Sequence, residues 1–309
     1  MVPLLARCGF DAAKLRADQN LDSGTSLAEP LPGPGAARPA WRTTRGQGAD
    51  AAFRSHPRVE GGLTVSAISL YARPTPNHDE RVAHALAVLQ SAAVDHAGAI
   101  VQATSLGAED MVLTDLIARH HLPIAIGTLD TGALHPETLA LIGRIEVRYG
   151  LQVETYRPAA DAVVQFVDTH GQDAMFRSIE LRKACCQMRK LEPLSRMLQQ
   201  RTAWVTGLRR EQSNTRGGVP YTEHDDAGRT KLNPLADWSW NDVWHYIATH
   251  DVPYNPLHDQ FMPSIGCAPC TRAIAVGEDF RAGRWWWEQG LAKECGLHVS
   301  TTSTQEMTA

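Results

Sequence analysis

The chain has 309 residues, of which 43% are hydrophobic and 21% charged, the composition of an ordinary globular protein with room for one large domain or two small ones. The formal net charge of -4 argues against a general binder of nucleic acid or acidic membranes and favours a small ligand. No apolar run approaches the roughly 20 residues needed to span a bilayer, and the N-terminal run is too short for a secretory signal. We therefore expect a cytoplasmic protein.

The N-terminal part of the chain differs in composition from the rest. Residues 1–75 are rich in Ala, Gly, Pro and Arg and show no apolar periodicity, which predicts a disordered or poorly structured extension. A domain is expected over residues 76–298, followed by a polar tail over residues 299–309.

The predicted domain alternates between helical and strand-like patterns. Apolar residues at helical spacing begin near residue 78 and lead into a short strand that ends at Ser105. Further strands are predicted at 123–130, 152–158 and 203–209, and helices near 109–120, 135–149, 161–169, 187–200 and 239–250. This alternation predicts an α/β fold, with a parallel sheet covered by helices on both faces and ligands at the carboxyl ends of the strands.

Glycine and polar residues follow three of the predicted strands. After the first strand, Gly107 would allow a phosphate to approach the backbone and Ser105 would add a hydroxyl, although an ordinary helix cap explains this loop equally well. The second strand ends in the loop 129–132 and the fourth in the loop 206–212, where Arg209 is a candidate anion contact or a solvated surface charge. Three such strand ends together favour a nucleotide site.

Four cysteines form two close pairs, Cys185 with Cys186 and Cys267 with Cys270. Four thiolates can hold one zinc ion or a [4Fe–4S] cluster, and two buried thiol pairs or a reversible disulfide are the alternatives. Adjacent cysteines reach a single zinc ion with difficulty, because successive side chains diverge. A cluster offers each sulfur its own iron and suits neighbouring cysteines better.

Cys295 lies outside this paired pattern. Positive residues near it in sequence would favour its thiolate form, which indicates a reactive thiol, whereas the alternative is a surface cysteine without a role. Cys8 is separate from the other five and is interpreted as incidental.

From about residue 78 to residue 298 the chain resembles the assimilatory adenylyl-sulfate (APS) reductases, relatives of the phosphoadenylyl-sulfate (PAPS) reductases. Seven motifs in the family's order carry the resemblance: SLGAEDMVL, LDTG, KACCQMRKLEPL, TGLRREQS, GCAPCTRAI, GEDFRAGRWWWE and ECGLH. One departure is Leu106, where relatives often carry Phe. This difference does not change the expectation that the loop backbone contacts the nucleotide.

The resemblance implies a sheet of the adenine-nucleotide α-hydrolase type, which is Rossmann-like, with AMP at the strand ends. It also implies a [4Fe–4S] cluster on Cys185, Cys186, Cys267 and Cys270. Since PAPS reductases generally lack both cysteine pairs, the family comparison points to APS as the substrate.

The family's functional residues carry over to matching positions of this chain. Cys295 corresponds to the nucleophile, on a mobile C-terminal segment that closes over the site, and Arg209 to a substrate-phosphate contact. The sulfate-binding positions are Lys190, Arg281, Arg284 and His298. The nucleotide loops contain Ser105, Gly107, Glu109, Leu129, Asp130 and Gly132.

In the implied reaction the Cys295 thiolate attacks the sulfur of APS, AMP leaves, and thioredoxin then releases sulfite from an S-sulfocysteine, in assimilatory sulfate reduction and cysteine biosynthesis. No thioredoxin-like domain is recognised in the sequence, so we expect the reductant to be a separate protein. The cluster is expected to organise Lys190 and tune the sulfate site rather than to pass electrons. Trp285, Trp286 and Trp287 are expected to be packing residues, and a homo-oligomer is compatible with the sequence.

Two alternatives are a PAPS reductase that holds a cluster and, more remotely, a metal-binding redox-sensing module for nucleic acid. The second predicts a basic surface, which the net charge does not support, and leaves the ECGLH motif unexplained.

Overall fold

A computed structural model describes residues 65–212 and 218–288, and in these residues the chain forms one six-stranded sheet in the order β3-β2-β1-β4-β6-β5. Every neighbouring pair is parallel except β5 with β6, which is antiparallel. The strands are β1 Ile100–Thr104, β2 Ala125–Leu129, β3 Val153–Tyr156, β4 Ala203–Val205, β5 Thr222–His224 and β6 Thr230–Leu232.

Helices connect and flank the strands, as the alternating pattern predicts. The helices are α1 Ala67–Tyr71, α2 His78–Asp95, α3 Ala108–Arg119, α4 Pro136–Tyr149, α5 Ala160–His170, α6 Ile179–Cys186, α7 Glu192–Met197 and α8 Trp240–His250. A π-helical turn, Gln187–Leu191, joins α6 to α7, and short 3-10 turns lie at Pro256–Gln260 and Ala268–Cys270. Among the described residues, no helix combines the length and apolar character that crossing a bilayer requires.

Local sequence explains where several helices begin and end. Pro136 opens α4 at a position where its missing N–H costs nothing, and Gly150 ends that helix with a φ of 64°. The Ser239 side chain caps α8 by accepting a hydrogen bond from the Asp242 N–H, and the Asp242 side chain accepts one in return from the Ser239 N–H. These signals define the ends of α4 and the start of α8.

The sheet has an apolar core on each face, because successive strand residues point to opposite sides. On one face Ile100 and Val205 join a large core with α2, α3, α4 and α8. On the other face Val101 and Trp204 pack against Leu194 and Met197 around α7. The fold class expected from the sequence, a mostly parallel α/β sheet with helices on both faces, is confirmed.

Three features differ from the sequence expectation. The antiparallel β5 and the added β6 were not predicted, since their residues, TEH and TKL, include one apolar residue between them, whereas the equally short β4 is AWV. The helix α6 places Cys185 and Cys186 in its last turn, whereas the sequence predicted a helix only from residue 187. The helix α1 lies upstream of the domain start predicted at residue 76, and its Ala67 N–H donates to Asp259 Oδ1 at 2.7 Å; the domain boundary itself stays a prediction.

Candidate active site

A cavity of about 210 Å³ lies at the carboxyl edge of the sheet, where β1, β2 and β4 end. This is the edge at which ligands of parallel sheets bind. Seven residues predicted from the sequence line it: Ser105, Gly107, Glu109, Leu129, Lys190, Arg281 and Arg284. The structure therefore brings residues from the first two strand-end loops together with the predicted sulfate-binding cations.

The loop after β1 has an unusual backbone. Leu106 is buried and adopts a φ of 62°, in the left-handed region that non-glycine residues seldom occupy. Gly107 is the N-cap residue of α3 and has no side-chain capping bond. Because Gly107 lines the cavity, the positive end of the helix lies at the cavity. This geometry suits an anion such as a phosphate.

Asp110, in the first turn of α3, is hydrogen-bonded to two strand-end loops. Its Oδ2 accepts from the Ser105 N–H at 2.6 Å and from the Ser105 hydroxyl at 2.7 Å, and its Oδ1 accepts from the Gly207 N–H at 3.1 Å. Burial raises the pKa of Asp110 to about 6, against the hydrogen bonds from Ser105, which lower it. The Ser105 donors that the sequence assigned to a phosphate are thus directed to this carboxylate.

Arg209 lies behind the cavity rather than on its wall. Its Nε donates to Glu109 Oε1 at 2.9 Å and its Nη1 to Glu211 Oε2 at 2.7 Å, and only 1% of its side chain is exposed. Although burial opposes it, the charge of Arg209 holds the pKa of Glu109 below its usual value. In this arrangement Arg209 joins α3 to the β4 loop, and its contact with a substrate phosphate stays a prediction.

Two residues predicted in the nucleotide loops, Asp130 and Gly132, shape the β2 loop without lining the cavity. Asp130 accepts from Arg157 Nε at 2.9 Å and from the Gly132 N–H at 3.0 Å. Gly132 has a φ of 67°, a conformation that favours glycine, and a Cβ there would lie 3.4 Å from Arg189 Nη1. Both residues thus fix the backbone around Leu129 and Thr131, which do line the cavity.

The cations of the cavity come from two separate segments. Lys190 belongs to the π-helical turn, and Arg281 and Arg284 belong to the segment before residue 288. Arg284 is 6% exposed, and its Nε has no hydrogen-bond partner among the described residues. A buried guanidinium with an unused donor beside a cavity is well suited to an anionic ligand.

A second cavity, of about 20 Å³, adjoins the first and is lined by all four paired cysteines. Each of these thiols is buried and free of disulfide bonds. Two of the residues around it, Lys190 and Trp285, also line the larger cavity. This agrees with the sequence-based hypothesis that Lys190 lies between the cysteine site and the substrate site.

Polar groups surround the cysteines. Arg182 hydrogen-bonds Cys186, Arg189 hydrogen-bonds Cys185, and the Thr131 hydroxyl lies 3.3 Å from Cys267 Sγ. Burial raises the pKa of Cys270 to about 12, so this thiol is neutral without a metal.

The donor chemistry of the four thiols fits an iron–sulfur cluster, because they line one cavity with cations beside it that would balance thiolate charge. Within the described ranges, no group of three or more His, Cys, Asp or Glu side chains is arranged to hold a metal ion. The cluster therefore rests on donor chemistry and stays a prediction.

The three consecutive tryptophans separate in the structure. Trp285 is 1% exposed and its ring lies 4.6 Å from both the Arg182 and the Arg284 guanidinium carbons, which confirms the packing role expected for it. Trp286 is 40% exposed.

Cys295 and His298, the predicted nucleophile and a predicted sulfate contact, lie outside the described residues. The sequence reasoning also missed two titratable residues of the cavity, Asp110 and His258. His258 is 5% exposed among Trp240 and Trp244, and burial lowers its pKa to about 4. No sequence signal marks His258, whereas Asp110 had the signal of a carboxylate in the first turn of a helix at a strand end.

Comparisons with known proteins agree with this geometry. The model of the phosphoadenosine phosphosulfate reductase domain matches residues 99–273. The adenosine 5'-phosphosulfate reductase of Allochromatium vinosum is 61% identical over 200 residues, which cover 64% of this chain and 78% of that protein. The enzyme of the same name from Burkholderia cepacia is 56% identical over 200 residues, with 64% and 80% covered.

Among solved structures, the crystal structure of a PAPS reductase from Candida auris, in complex with phosphate, is 27% identical with a TM-score of 0.51. The match covers 62% of this chain and 93% of that one. The sheet and its flanking helices are thus shared with a protein that binds phosphate in its crystal.

Proposed function

Because the chain belongs to the phosphoadenosine phosphosulfate reductase family, we propose that it is an oxidoreductase that reduces APS to sulfite and AMP in sulfate assimilation. Relatives at 61% and 56% identity carry the name adenosine 5'-phosphosulfate reductase. The reaction supplies sulfite for cysteine biosynthesis, and a cytoplasmic location fits it.

One observation carries the proposal: the cavity at the strand ends and the cavity of four cysteines share a wall that contains Lys190. The strand-end loops offer a helix N-terminus for the phosphate of APS. The same cavity is lined by three cations that could bind the sulfate of APS: Lys190, Arg281 and Arg284. A nucleotide site continuous with a cationic site matches a nucleotide sulfate better than a nucleotide alone.

In the proposed chemistry the Cys295 thiolate attacks the sulfur of APS. A sulfur–sulfur bond forms, the bond between that sulfur and the phosphate oxygen breaks, and AMP leaves with the electron pair. The cations neutralise the sulfate oxygens as charge shifts, and AMP needs no general acid because its phosphate is a stable anion. One thiol of reduced thioredoxin then attacks the Cys295 sulfur of the S-sulfocysteine, and sulfite leaves with the electron pair of the broken sulfur–sulfur bond. The second thioredoxin thiol attacks the resulting mixed disulfide, which frees the Cys295 thiol and leaves thioredoxin as its disulfide.

Cys185, Cys186, Cys267 and Cys270 would hold the [4Fe–4S] cluster. When bound, the cluster supplies a compact charge beside Lys190 rather than electrons for the substrate. Lys190 is held by the π-helical turn directly after Cys186, so its ammonium group is positioned by the same segment that carries two of the thiols.

The decisive experiment is mass spectrometry of the protein after incubation with APS without a reductant. We expect a mass increase of one SO3 group on Cys295, which reduced thioredoxin removes. Cys295→Ser should show neither the adduct nor sulfite release. Sulfite production by the serine variant at the wild-type rate would refute the mechanism.

The cluster is tested separately by iron and acid-labile sulfide analysis and by electron paramagnetic resonance during turnover. We expect iron and sulfide in equal amounts and no change of oxidation state at the turnover rate. A cluster that cycles at that rate would contradict the electrostatic role.

A PAPS reductase that carries a cluster is the second candidate, since the shared family and the Candida auris structure include that activity. Rates on APS and PAPS distinguish the two, and we expect the higher kcat/KM with APS.

A further inference from the structure

Asp110 is the feature of the cavity that neither the proposed chemistry nor the cluster uses. It is 6% exposed, lines the cavity and accepts three hydrogen bonds from two different loops. The loop after β1 supplies two of these bonds through Ser105, and the loop after β4 supplies the third through Gly207. Since β1 and β4 are neighbouring parallel strands, one carboxylate spans the two loop tips.

The fit between Asp110 and the β4 loop leaves no spare room. A Cβ at Gly207 would lie 2.5 Å from Asp110 Oδ1 and 3.2 Å from the Asp110 backbone nitrogen. The residue facing the carboxylate must therefore be glycine, whose N–H can approach directly. The contact is specific in shape as well as in hydrogen bonding.

This arrangement has an energetic cost for the fold. A carboxylate whose pKa is raised by burial is less favourable in the folded chain than in water at neutral pH, despite its hydrogen bonds. A buried group that lowers stability and lies on a ligand cavity is typical of positions retained for function.

We propose that Asp110 is a positioning residue, which ties the β1 and β4 loops together so that the phosphate site of the nucleotide is formed before the nucleotide binds. The inference rests on the proposed function, since it assumes that a nucleotide occupies the cavity. Asp110 acts through Ser105 and Gly207 and does not itself contact the reacting sulfur.

The charged groups around Asp110 affect the pH at which its carboxylate takes up a proton. Glu109 on the same helix opposes its ionisation, and Arg209 from the β4 loop pairs with Glu109. Other charged or titratable groups lining the cavity are Lys190, His258, Arg281 and Arg284. Below about pH 6 the carboxyl takes up a proton, loses an acceptor site and releases one of the loops.

The test is calorimetric titration of the full chain with AMP, which needs no reductant and no turnover. Asp110→Asn keeps the shape of the side chain but presents an NH2 group to one of the three donors. We expect its AMP affinity to be about tenfold lower than that of the wild type. Its melting temperature should be equal to that of the wild type or higher, because a buried charge has been removed.

Asp115→Asn is the matched control, since Asp115 lies on the same helix and is also fully buried. Its carboxylate accepts from the Tyr149 and Tyr246 hydroxyls, both at 2.8 Å, and pairs with Arg119. We expect this variant to melt at a lower temperature and to bind AMP as the wild type does.

A pH series separates positioning from simple packing. The ratio of wild-type to Asp110→Asn affinity for AMP cancels the titration of the AMP phosphate itself. We expect this ratio to be about tenfold near pH 8 and to fall towards one as the pH drops below about 6.

Equal AMP affinity in the wild type and Asp110→Asn, or a ratio that does not change with pH, would overturn the inference. If the wild type binds neither AMP nor APS, the proposed function fails instead, so the two failures are distinct. Should Asp110→Asn not fold, Gly207→Ala provides the same test, because its Cβ must push the β4 loop away from the intact carboxylate; wild-type affinity in that variant would also refute the proposal.

Discussion

At the scale of single residues, Gly266 decides where a cation of the active site lies. A Cβ at this position would overlap the Arg284 Nη2 and would lie 2.6 Å from the guanidinium carbon. The absent side chain therefore lets the guanidinium lie against the backbone, one residue before Cys267. Arg284 also stacks on Trp285, so its position is fixed from two sides.

We predict that Gly266→Ala lowers kcat/KM for APS by about a hundredfold, since a displacement of about 1 Å in a charged contact has effects of this size. Steady-state kinetics with thioredoxin as reductant measures it. The control is Gly143→Ala, on the exposed face of α4 with open space around it, which should keep wild-type kinetics and gain about 0.5–1 kcal/mol of stability. Unchanged kinetics in Gly266→Ala would contradict the role of Arg284.

At the scale of elements, the helix that carries two cysteines is bonded to the segment that carries two cations. Arg182 on α6 donates to Glu288 Oε1 at 2.7 Å and to Oε2 at 3.1 Å, with both side chains nearly fully buried. The backbone adds an antiparallel bridge between Thr271 and Arg284, next to Cys270. These contacts make the cysteine site and the cationic wall one structural unit.

Glu288→Gln should lower the free energy of unfolding by about 3 kcal/mol, because the buried Arg182 guanidinium loses the carboxylate with which it pairs. The matched control is Glu192→Gln, which removes one partner of a pair with Arg196 whose side chains are 47% and 43% exposed. That substitution should change stability by less than about 0.5 kcal/mol. Urea denaturation of both variants gives the comparison, and equal effects would show that the Arg182 pair is not a stabilising link.

At the scale of the whole molecule, two buried groups in the active-site cavity give opposite dependences of stability on pH. Burial lowers the pKa of His258 to about 4, so the unfolded chain binds a proton there first and stability falls as the pH drops from about 6.5 to about 4. Burial raises the pKa of Asp110 to about 6, so its effect on stability becomes more favourable as the pH drops from about 6 to about 4. The two contributions largely cancel.

His258→Phe removes the pH-dependent contribution of His258 to stability and keeps an aromatic ring beside Trp240 and Trp244. The difference in unfolding free energy between the variant and the wild type should shift in the variant's favour by about 3 kcal/mol between pH 7 and pH 4. Denaturation curves across this range measure the shift. A constant difference would show that His258 titrates normally in the folded chain.

The sequence by itself determined the alternation of strands and helices, since apolar periodicity is a local property of the chain. It also separated four cysteines from Cys295, because spacing is visible without a structure. It missed β5 and β6 because their residues, TEH and TKL, are mostly polar and leave almost no apolar signal. It began the helix around Cys185 too late because α6 has a weakly apolar face.

Only the tertiary structure decided which polar groups meet at the cavity. Arg209 and Glu109 are 100 residues apart along the chain, yet they pair with each other, and Asp110 takes the donors of Ser105 that the sequence assigned to a phosphate. Hydrogen-bond partners depend on distances between loops of different strands, which no local pattern encodes. The sequence therefore indicated the chemistry of the site, and the packing of the β1 and β4 loops decided which residues are placed to contact a ligand and which hold them in position.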